Sequence, residues 1–189
     1  MTREEQAQKR RQEILLASLD LFIAKGYHGT STRQISQKVG ISSGLLFHYF
    51  ADKDALYCEL IKIAAQRMQF SIAVGEENPD AYLCQMVSKV FSLLEEDAFF
   101  AKLFVFIHQG QYTEGIPEEG QKMLTAGNLV KVCSKIILKG QEMGQFRAGD
   151  AGLLATTFLC AINGIAQEKV RVPKQELPEA EWIMDIVRR

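Results

Sequence analysis

Apolar residues recur every three or four positions along most of the chain, which is the spacing of helices that bury one face. Alternation with a period of two, which is typical of half-buried strands, does not occur over any long stretch of the sequence. The four prolines are spread singly, and the turn signals between apolar segments are short. The pattern therefore predicts an all-α fold.

The first predicted helix begins near Glu4 or Gln8 and ends at Lys25. Gly26 follows it, and a residue without a side chain suits the positive φ that often ends a helix. The residues that share the buried face of this helix are Ile14, Leu15, Ser18, Leu21 and Phe22.

Residues 31–50 predict two short helices that are separated by a glycine turn. Ser31 caps the first helix and Gly40 ends it, while Ser42 or Ser43 caps the second. Helices of about two turns are not stable alone, so they need a shared core. The side chains available for that core are Leu21, Phe22, Ile35, Val39, Ile41, Leu46 and Phe50. This is the layout of a helix-turn-helix, whose second helix lies in the major groove of DNA.

Further helices are predicted in the remainder of the chain. Asp52 caps a helix that continues to about Val74, and residues 75–79 break it. The later helical segments are 80–95, 98–110, 117–144, 151–172 and 178–188, of which the third is either one long helix or two helices broken near Gly127. The connector before residue 151 is short, so the helices on either side are expected to pack as antiparallel neighbours.

The composition predicts an ordinary globular protein of the cytoplasm. The hydrophobic fraction is 47% and the charged fraction 24%. The N-terminal residues 1–13 are charged throughout, which predicts no signal peptide. The most apolar run, residues 98–107, is too short to cross a bilayer and contains Lys102.

The four cysteines are Cys58, Cys84, Cys133 and Cys160. They stand singly, without a C-x-x-C pair and without histidines at ligand spacing, so neither a zinc site nor a disulfide framework is expected. The sequence therefore predicts free thiols, no metal and no cofactor.

Charge is distributed unevenly along the chain. The net charge is −1, but residues 1–70 contain 10 basic and 7 acidic residues, whereas the remainder contains 12 and 16. A basic N-terminal third favours a nucleic-acid partner at that end. The basic cluster of Lys9, Arg10 and Arg11 on the first helix fits either a solvated face or contacts with phosphates.

The segment from Gly26 to Leu56 resembles the N-terminal signature of the TetR-type transcriptional regulators. The matching residues are Gly26-Tyr27, Thr30-Ser31, Ile35-Ser36, Val39-Gly40-Ile41-Ser42, Gly44, Leu46-Phe47-His48-Tyr49-Phe50 and Lys53-Asp54-Ala55-Leu56. The resemblance implies a homodimer that binds a palindromic operator in double-stranded DNA and represses a nearby promoter. It also implies a helix-turn-helix domain in residues 1–51 and an effector-binding and dimerisation domain in residues 52–189.

Residues from both short helices and from the helix that follows are predicted to contact DNA. They are Thr32, Arg33, Ser43, Gly44, Leu45, Phe47, His48, Tyr49 and Lys53. Thr32 and Arg33 lie in the first turn of a helix, where unpaired N–H groups favour a phosphate. By the resemblance, Tyr49 meets a phosphate or base and Lys53 meets a phosphate.

Two of these residues have a second interpretation. His48 fits a DNA contact and an ordinary surface histidine equally well. The family usually carries a tyrosine at the position of Phe47, so the phosphate hydrogen bond of its hydroxyl is lost here. The Phe47 ring can still make an apolar contact, for example with a thymine methyl group.

The larger C-terminal segment has more aromatic side chains than one buried face needs. This excess predicts a cavity for a small apolar or amphipathic effector, although helical spacing fits a plain core as well. The predicted cavity residues are Phe91, Phe100, Phe104, His108 and Met123. The predicted dimer face on the helix 151–172 comprises Leu154, Thr157, Phe158, Ala161, Ile162 and Ile165.

Two other functions stay open at this point. One is a DNA-binding dimer whose larger domain takes no effector. The other is an enzyme, which is not expected because the sequence contains no nucleophile motif, glycine-rich phosphate loop or paired-acid pattern.

Overall fold

The computed structural model describes residues 2–68 and 77–189 of the chain. The helices in these ranges are α1 (Arg3–Lys25), α2 (Thr32–Val39), α3 (Ser43–Tyr49), α4 (Lys53–Arg67), α5 (Pro79–Glu96), α6 (Ala98–Gly110), α7 (Glu118–Ala126), α8 (Leu129–Glu142), α9 (Ala151–Arg171) and α10 (Ala180–Met184). Within the same ranges, β-type pairing is limited to an isolated antiparallel bridge between Phe146 and Arg188. The predicted all-α class is confirmed.

The first compact unit comprises Met1–Arg67 and Lys102–Ala126. Its first helix starts at the earlier of the two predicted positions, because Thr2 forms a capping box with Glu5. The buried side chains that α1 to α4 contribute to its core include Ile14, Leu15, Leu19, Phe22, Ile35, Leu46, Phe50, Leu56 and Leu60. The predicted domain boundary after residue 51 stays a prediction.

Aromatic rings join α1, α4 and α6 within this unit. The Tyr57 ring lies edge-on at 5.1 Å from Phe22, 5.0 Å from Tyr27 and 4.8 Å from Phe106, between ring centroids. Pairs of this kind stabilise a fold by roughly 0.5–1.5 kcal/mol each beyond the area they bury. Burial also raises the pKa of the Tyr57 hydroxyl to about 12.

The second compact unit comprises Met68–Ala101 and Gly127–Arg189. In this unit α8 and α9 pack against each other, which agrees with the short connector between them. The Phe146 ring fills the space beside Gly140, where an added Cβ would lie 2.2 Å from the ring. Only glycine therefore fits at this position of α8.

The long segment 117–144 is two helices rather than one. Helix α7 ends at Ala126, and Asn128 caps α8 by accepting the Lys131 N–H at 3.2 Å. The predicted break near Gly127 is confirmed. The helix predicted to continue to Val74 is described as far as Arg67, and residues 69–76 lie outside the described ranges.

The prediction of a C-terminal helix over 178–188 was wrong in its extent, because α10 ends at Met184. The Arg147 N–H donates to the Val187 carbonyl at 2.9 Å, which holds the last residues in an extended pairing. The Arg188 guanidinium binds both carboxylate oxygens of Asp80, at 2.5 and 2.8 Å. These long-range contacts give the last residues hydrogen-bond partners without a helix.

Candidate nucleic-acid interface

The turn between α2 and α3 has a defined geometry. The Ser31 hydroxyl accepts the Gln34 N–H at 3.3 Å, and the Gln34 side chain accepts the Ser31 N–H at 2.9 Å, which closes a capping box. Gly40 has a φ of 74°, a left-handed conformation that favours glycine. The Ile41 N–H then donates to the Ser36 carbonyl at 3.0 Å. The chain therefore turns tightly from α2 into α3.

Helix α3 is capped by Ser42, whose hydroxyl accepts the Leu45 N–H at 3.1 Å. This contact selects Ser42 over Ser43 as the cap. The exposed Ser43 opens the helix, and its hydroxyl lies 3.4 Å from that of Ser36. An added Cβ at Gly44 would meet only the Ser42 hydroxyl, at 4.0 Å. The first turn of α3 is therefore open to close approach from outside.

The apolar side chains of α3 divide between two directions. Leu46 is fully buried, and Phe50, directly after the helix, is 6% exposed. Leu45 and Phe47 are 41% and 49% exposed. The predicted inward direction of Leu46 and Phe50 is confirmed. A helix of seven residues thus presents two large apolar side chains to solvent.

The polar members of the predicted contact set lie at or near the surface. His48 is exposed, and its ring lies 5.6 Å from that of the half-buried Tyr49. On α2, Thr32 is half-buried and Arg33 is exposed. Arg33 forms no ion pair with any other described residue, so its guanidinium is available to a ligand.

Lys53, at the start of α4, is held in place by the loop after α1. Its ammonium donates to the Tyr27 carbonyl at 2.8 Å and lies 3.9 Å from the centroid of the Tyr27 ring. The Tyr27 hydroxyl in turn donates to Asp54. Burial and this hydrogen bond raise the pKa of Tyr27 above its usual range. Lys53 is therefore an oriented cation, and an ammonium still has further donors for a phosphate.

The basic cluster of α1 separates into different roles. Arg11 binds Glu59 at 2.5 Å and lies 5.0 Å from the centroid of the Phe50 ring, so it links α1 to the rest of the unit. Arg10 binds Glu13 at 2.8 Å on the same helix. Lys9 is exposed and forms no ion pair with any residue in the described ranges.

A groove lies between the first turns of α1 and the end of α3. Its volume is about 470 Å³, and its lining residues are Arg3, Gln6, Ala7, Lys9, Arg10, Glu13 and Tyr49. The sequence-based interpretation did not include this groove. The spacing of residues 3, 6, 7 and 10, which places them on one side of a helix, was the available signal.

The predicted effector-cavity residues are divided between the two compact units. Phe91 and Phe100 lie in the second unit, and Phe104, His108 and Met123 lie in the first. The phenylalanines are buried, whereas His108 and Met123 are half-buried. Burial lowers the pKa of His108. The cavity itself stays a prediction.

The predicted dimer-face residues occupy more than one side of α9. Phe158 and Ile162 are buried within the single chain, and Thr157 is exposed. The other members of the set are half-buried: Leu154, Ala161 and Ile165. The side of α9 that faces solvent carries Leu153, Thr157, Cys160 and Gly164.

The described residues contain no group of three or more His, Cys, Asp or Glu side chains that could hold a metal ion. In the same ranges, no helix combines the length and the hydropathy that a membrane span requires.

Comparison with known proteins gives matches in sequence and in fold. Residues 14–60 match the family model of bacterial regulatory proteins, tetR family. The transcriptional repressor AcnR of Corynebacterium diphtheriae is 41% identical over 64 residues, which are 34% of this chain and 34% of AcnR. The chain therefore matches about a third of the length of this curated relative. The predicted resemblance to the TetR-type regulators is confirmed.

Solved regulators share the fold over nearly the whole chain. The MbdR regulator from Azoarcus sp. CIB superposes with a TM-score of 0.73 at 23% identity, covering 94% of this chain and 96% of MbdR. AibR, solved in complex with isovaleryl coenzyme A and operator DNA, superposes with a TM-score of 0.66 at 18% identity, covering 93% and 94%. Identities this low show the common fold and leave ligand and operator open.

Proposed function

We propose that this chain, whose residues 14–60 form a TetR-type helix-turn-helix region, is a homodimeric transcriptional repressor. In this proposal each subunit places one helix-turn-helix on a palindromic operator. A small apolar or amphipathic effector binds the larger domain and releases the DNA. The alternative without an effector differs only in the last step.

The observation that carries the proposal is the arrangement of α3. Leu46 and Phe50 anchor the helix inside, while Leu45, Phe47 and His48 point to solvent behind an open first turn. A solvent-facing helix directly after a tight turn has the geometry that enters a major groove. Leucine and phenylalanine side chains can contact thymine methyl groups there.

Cations on three helices complete the DNA surface of the proposal. Arg33 lies on α2 and Lys53 on α4, the helices before and after α3, and Lys9 on α1 lines the groove together with Tyr49. Contacts with phosphates position a protein on DNA, whereas contacts with base edges select the sequence. We assign Arg33, Lys53 and Lys9 to phosphates, Leu45 and His48 to bases, and Phe47 to an apolar contact within reach of the DNA backbone.

The dimer face of the proposal is the solvent side of α9. Leu153, Thr157, Cys160 and Gly164 follow one another at helical spacing and carry no charge. Leu138 on the neighbouring α8 is also exposed. An uncharged stripe with small residues allows two helices to approach closely across a two-fold axis.

As the effector site we propose only those predicted cavity residues that lie in the first compact unit. Phe104 is buried, and the half-buried His108 and Met123 offer one polar group and one adaptable apolar side chain. Because burial lowers the pKa of His108, it favours the neutral imidazole, which suits a hydrogen bond with an uncharged polar group.

The proposal is tested by selecting DNA from a random duplex library with the purified chain. We expect enrichment of a palindromic motif, and a mass for the complex that corresponds to an even number of chains per duplex. Arg33→Ala should then reduce the affinity for the selected duplex by roughly 5-fold or more. Glu118 and Lys122 form an exposed pair on α7, so Lys122→Ala is the matched control that should bind normally. Failure to enrich any sequence would refute the proposed function.

A further inference from the structure

One carboxylate in the first unit joins three helices. Asp20 on α1 accepts the Lys38 ammonium of α2 at 2.8 Å with one oxygen and the Lys102 ammonium of α6 at 2.7 Å with the other. Lys38 lies in the helix-turn-helix, whereas Lys102 lies eighty-two residues from Asp20 in sequence. The charge of Asp20 therefore connects α2 to α6.

A second polar contact joins the loop between α1 and α2 to the loop between α6 and α7. The His28 imidazole, in the loop between α1 and α2, contacts the Glu114 carbonyl through Nε2 at 2.8 Å, so the N–H of that tautomer donates to the oxygen. Glu114 lies in the loop between α6 and α7. Gly115, with a φ of 68°, follows it, and an added Cβ there would lie 3.0 Å from the His28 Nε2. The loop is shaped to receive the His28 ring.

Between these contacts, the aromatic rings of Phe22, Tyr57 and Phe106 hold the same elements together. Apolar packing favours contact but fixes direction weakly. Hydrogen bonds depend on direction and distance, so a polar contact at each end sets the angle between the packed elements. The rings therefore supply cohesion, and the two polar contacts supply orientation.

We infer that Asp20 and His28 are positioning residues for operator binding, which fix the helix-turn-helix on the segment of residues 102–126. The inference rests on the proposed function. In the proposed dimer, the angle between each helix-turn-helix and the segment of residues 102–126 in the same unit affects the distance between the two α3 helices. Because a palindrome offers half-sites at one fixed spacing, a change in that angle weakens binding to the full site.

This role differs from that of a DNA contact in a measurable way. A lost contact weakens binding to a full palindrome and to a single half-site alike. A lost positioning contact weakens binding to the full palindrome only, because one helix-turn-helix on one half-site has no spacing to satisfy. Half-exposed ion pairs contribute little to stability, so the fold should persist without them.

The test compares affinities for the selected full palindrome and for a duplex that carries one half-site. We expect Asp20→Asn and His28→Ala to lower the affinity for the full palindrome by roughly 2- to 30-fold. Affinity for the half-site should change by less than about twofold, and the melting temperature should fall by less than about 4 °C.

Gly115→Ala and Gly144→Ala form a matched pair for the same test. Both glycines have a positive φ, 68° and 73°, so alanine costs similar backbone energy at each. Only at Gly115 would the new Cβ meet His28, because nothing lies within 4 Å at Gly144. Gly115→Ala should therefore lose affinity for the full palindrome, and Gly144→Ala should retain it despite the similar backbone cost.

Each outcome decides between two statements. If the wild-type chain selects no DNA, the proposed function and this inference both fail. If the wild-type chain binds the palindrome, and Asp20→Asn and His28→Ala bind it equally well or lose the half-site to the same degree, the inference alone is overturned.

Discussion

Helix α3 leaves two large apolar side chains in solvent and helix α9 leaves one, and the surroundings of these side chains differ. On α3, the exposed Leu45 and Phe47 stand beside His48, and Arg33 and Lys53 lie on the helices before and after. On α9, Leu153 is 70% exposed and is followed along the same side by residues without charge.

The difference indicates two kinds of partner. DNA presents thymine methyl groups within a field of phosphates, so a surface that binds it needs apolar groups flanked by cations. A second protein chain presents packed apolar groups, and the centre of such an interface is poor in charge. We therefore assign α3 to DNA and the solvent side of α9 to a second copy of the chain.

The largest expected effect comes from placing a charge on α9. Thr157→Arg puts an unpaired cation in the uncharged stripe, and we expect dimer association to weaken by roughly 100-fold or more. Sedimentation velocity measures this directly. Ser88→Arg, at an exposed position of α5, is the control. The Thr157→Arg variant should still bind a single half-site. If this variant still forms a dimer, the solvent side of α9 is not the dimer interface.

A smaller effect, an increase in operator affinity, is expected from a substitution on α3. Phe47→Tyr supplies the hydroxyl that the family usually has at this position, and one new hydrogen bond to a phosphate should raise operator affinity by roughly 3- to 10-fold. Phe47→Leu separates the contribution of the hydroxyl from that of the ring. A gel shift with the selected duplex gives both affinities, and equal binding by wild type and Phe47→Tyr would place the residue away from the backbone.

A phosphate contact of Lys9, which lines the groove on α1, should be detectable in the salt dependence of DNA binding. If Lys9 meets a phosphate, Lys9→Ala lowers the slope of the logarithm of affinity against the logarithm of salt concentration by about 0.9. Lys89→Ala, an exposed lysine of α5, should leave the slope unchanged. Identical slopes for both variants would confine the DNA surface to α2, α3 and α4.

The smallest effect concerns the stability of the first unit. Burial raises the pKa of Asp20, but the hydrogen bonds and charges of Lys102 and Lys38 outweigh it, so the pKa lies below its usual value of 3.8. A carboxylate with a lowered pKa stabilises the fold above its unfolded pKa, and this contribution is lost as the pH falls through the folded value.

Wild type should therefore exceed Asp20→Asn in free energy of unfolding by less than about 1 kcal/mol at pH 7. The difference should shrink below pH 3.8. Urea unfolding at several pH values checks this, and a difference that grows in acid would contradict the assigned ion pairs.

The sequence predicted buried side chains correctly where the helical spacing allowed only one arrangement. On α3, only Leu46 and Phe50 could share an inner face, and both are buried. On α9, apolar residues occur on several sides of the helix. The pattern therefore could not show that the Phe158 and Ile162 side chains are buried by residues of the same chain.

Contacts between distant residues were the other part that the sequence could not predict. Nothing local distinguishes Lys53 as a lysine held by the Tyr27 carbonyl, or Asp20 as a carboxylate between α2 and α6. The end of α10 likewise depends on the pairing of Arg188 with Asp80, 108 residues away. Such pairs become visible only when the folded chain brings them together.

The central claim, that the solvent side of α3 recognises DNA, is tested most directly by two leucines. Leu45 on α3 and Leu16 on α1 are both 41% exposed, so their truncation removes the same side chain from equally solvated positions. Affinity for the selected duplex is measured for Leu45→Ala and Leu16→Ala. We predict a loss of roughly tenfold for Leu45→Ala and none for Leu16→Ala. Equal affinities for the two variants would contradict the assignment of α3 to DNA.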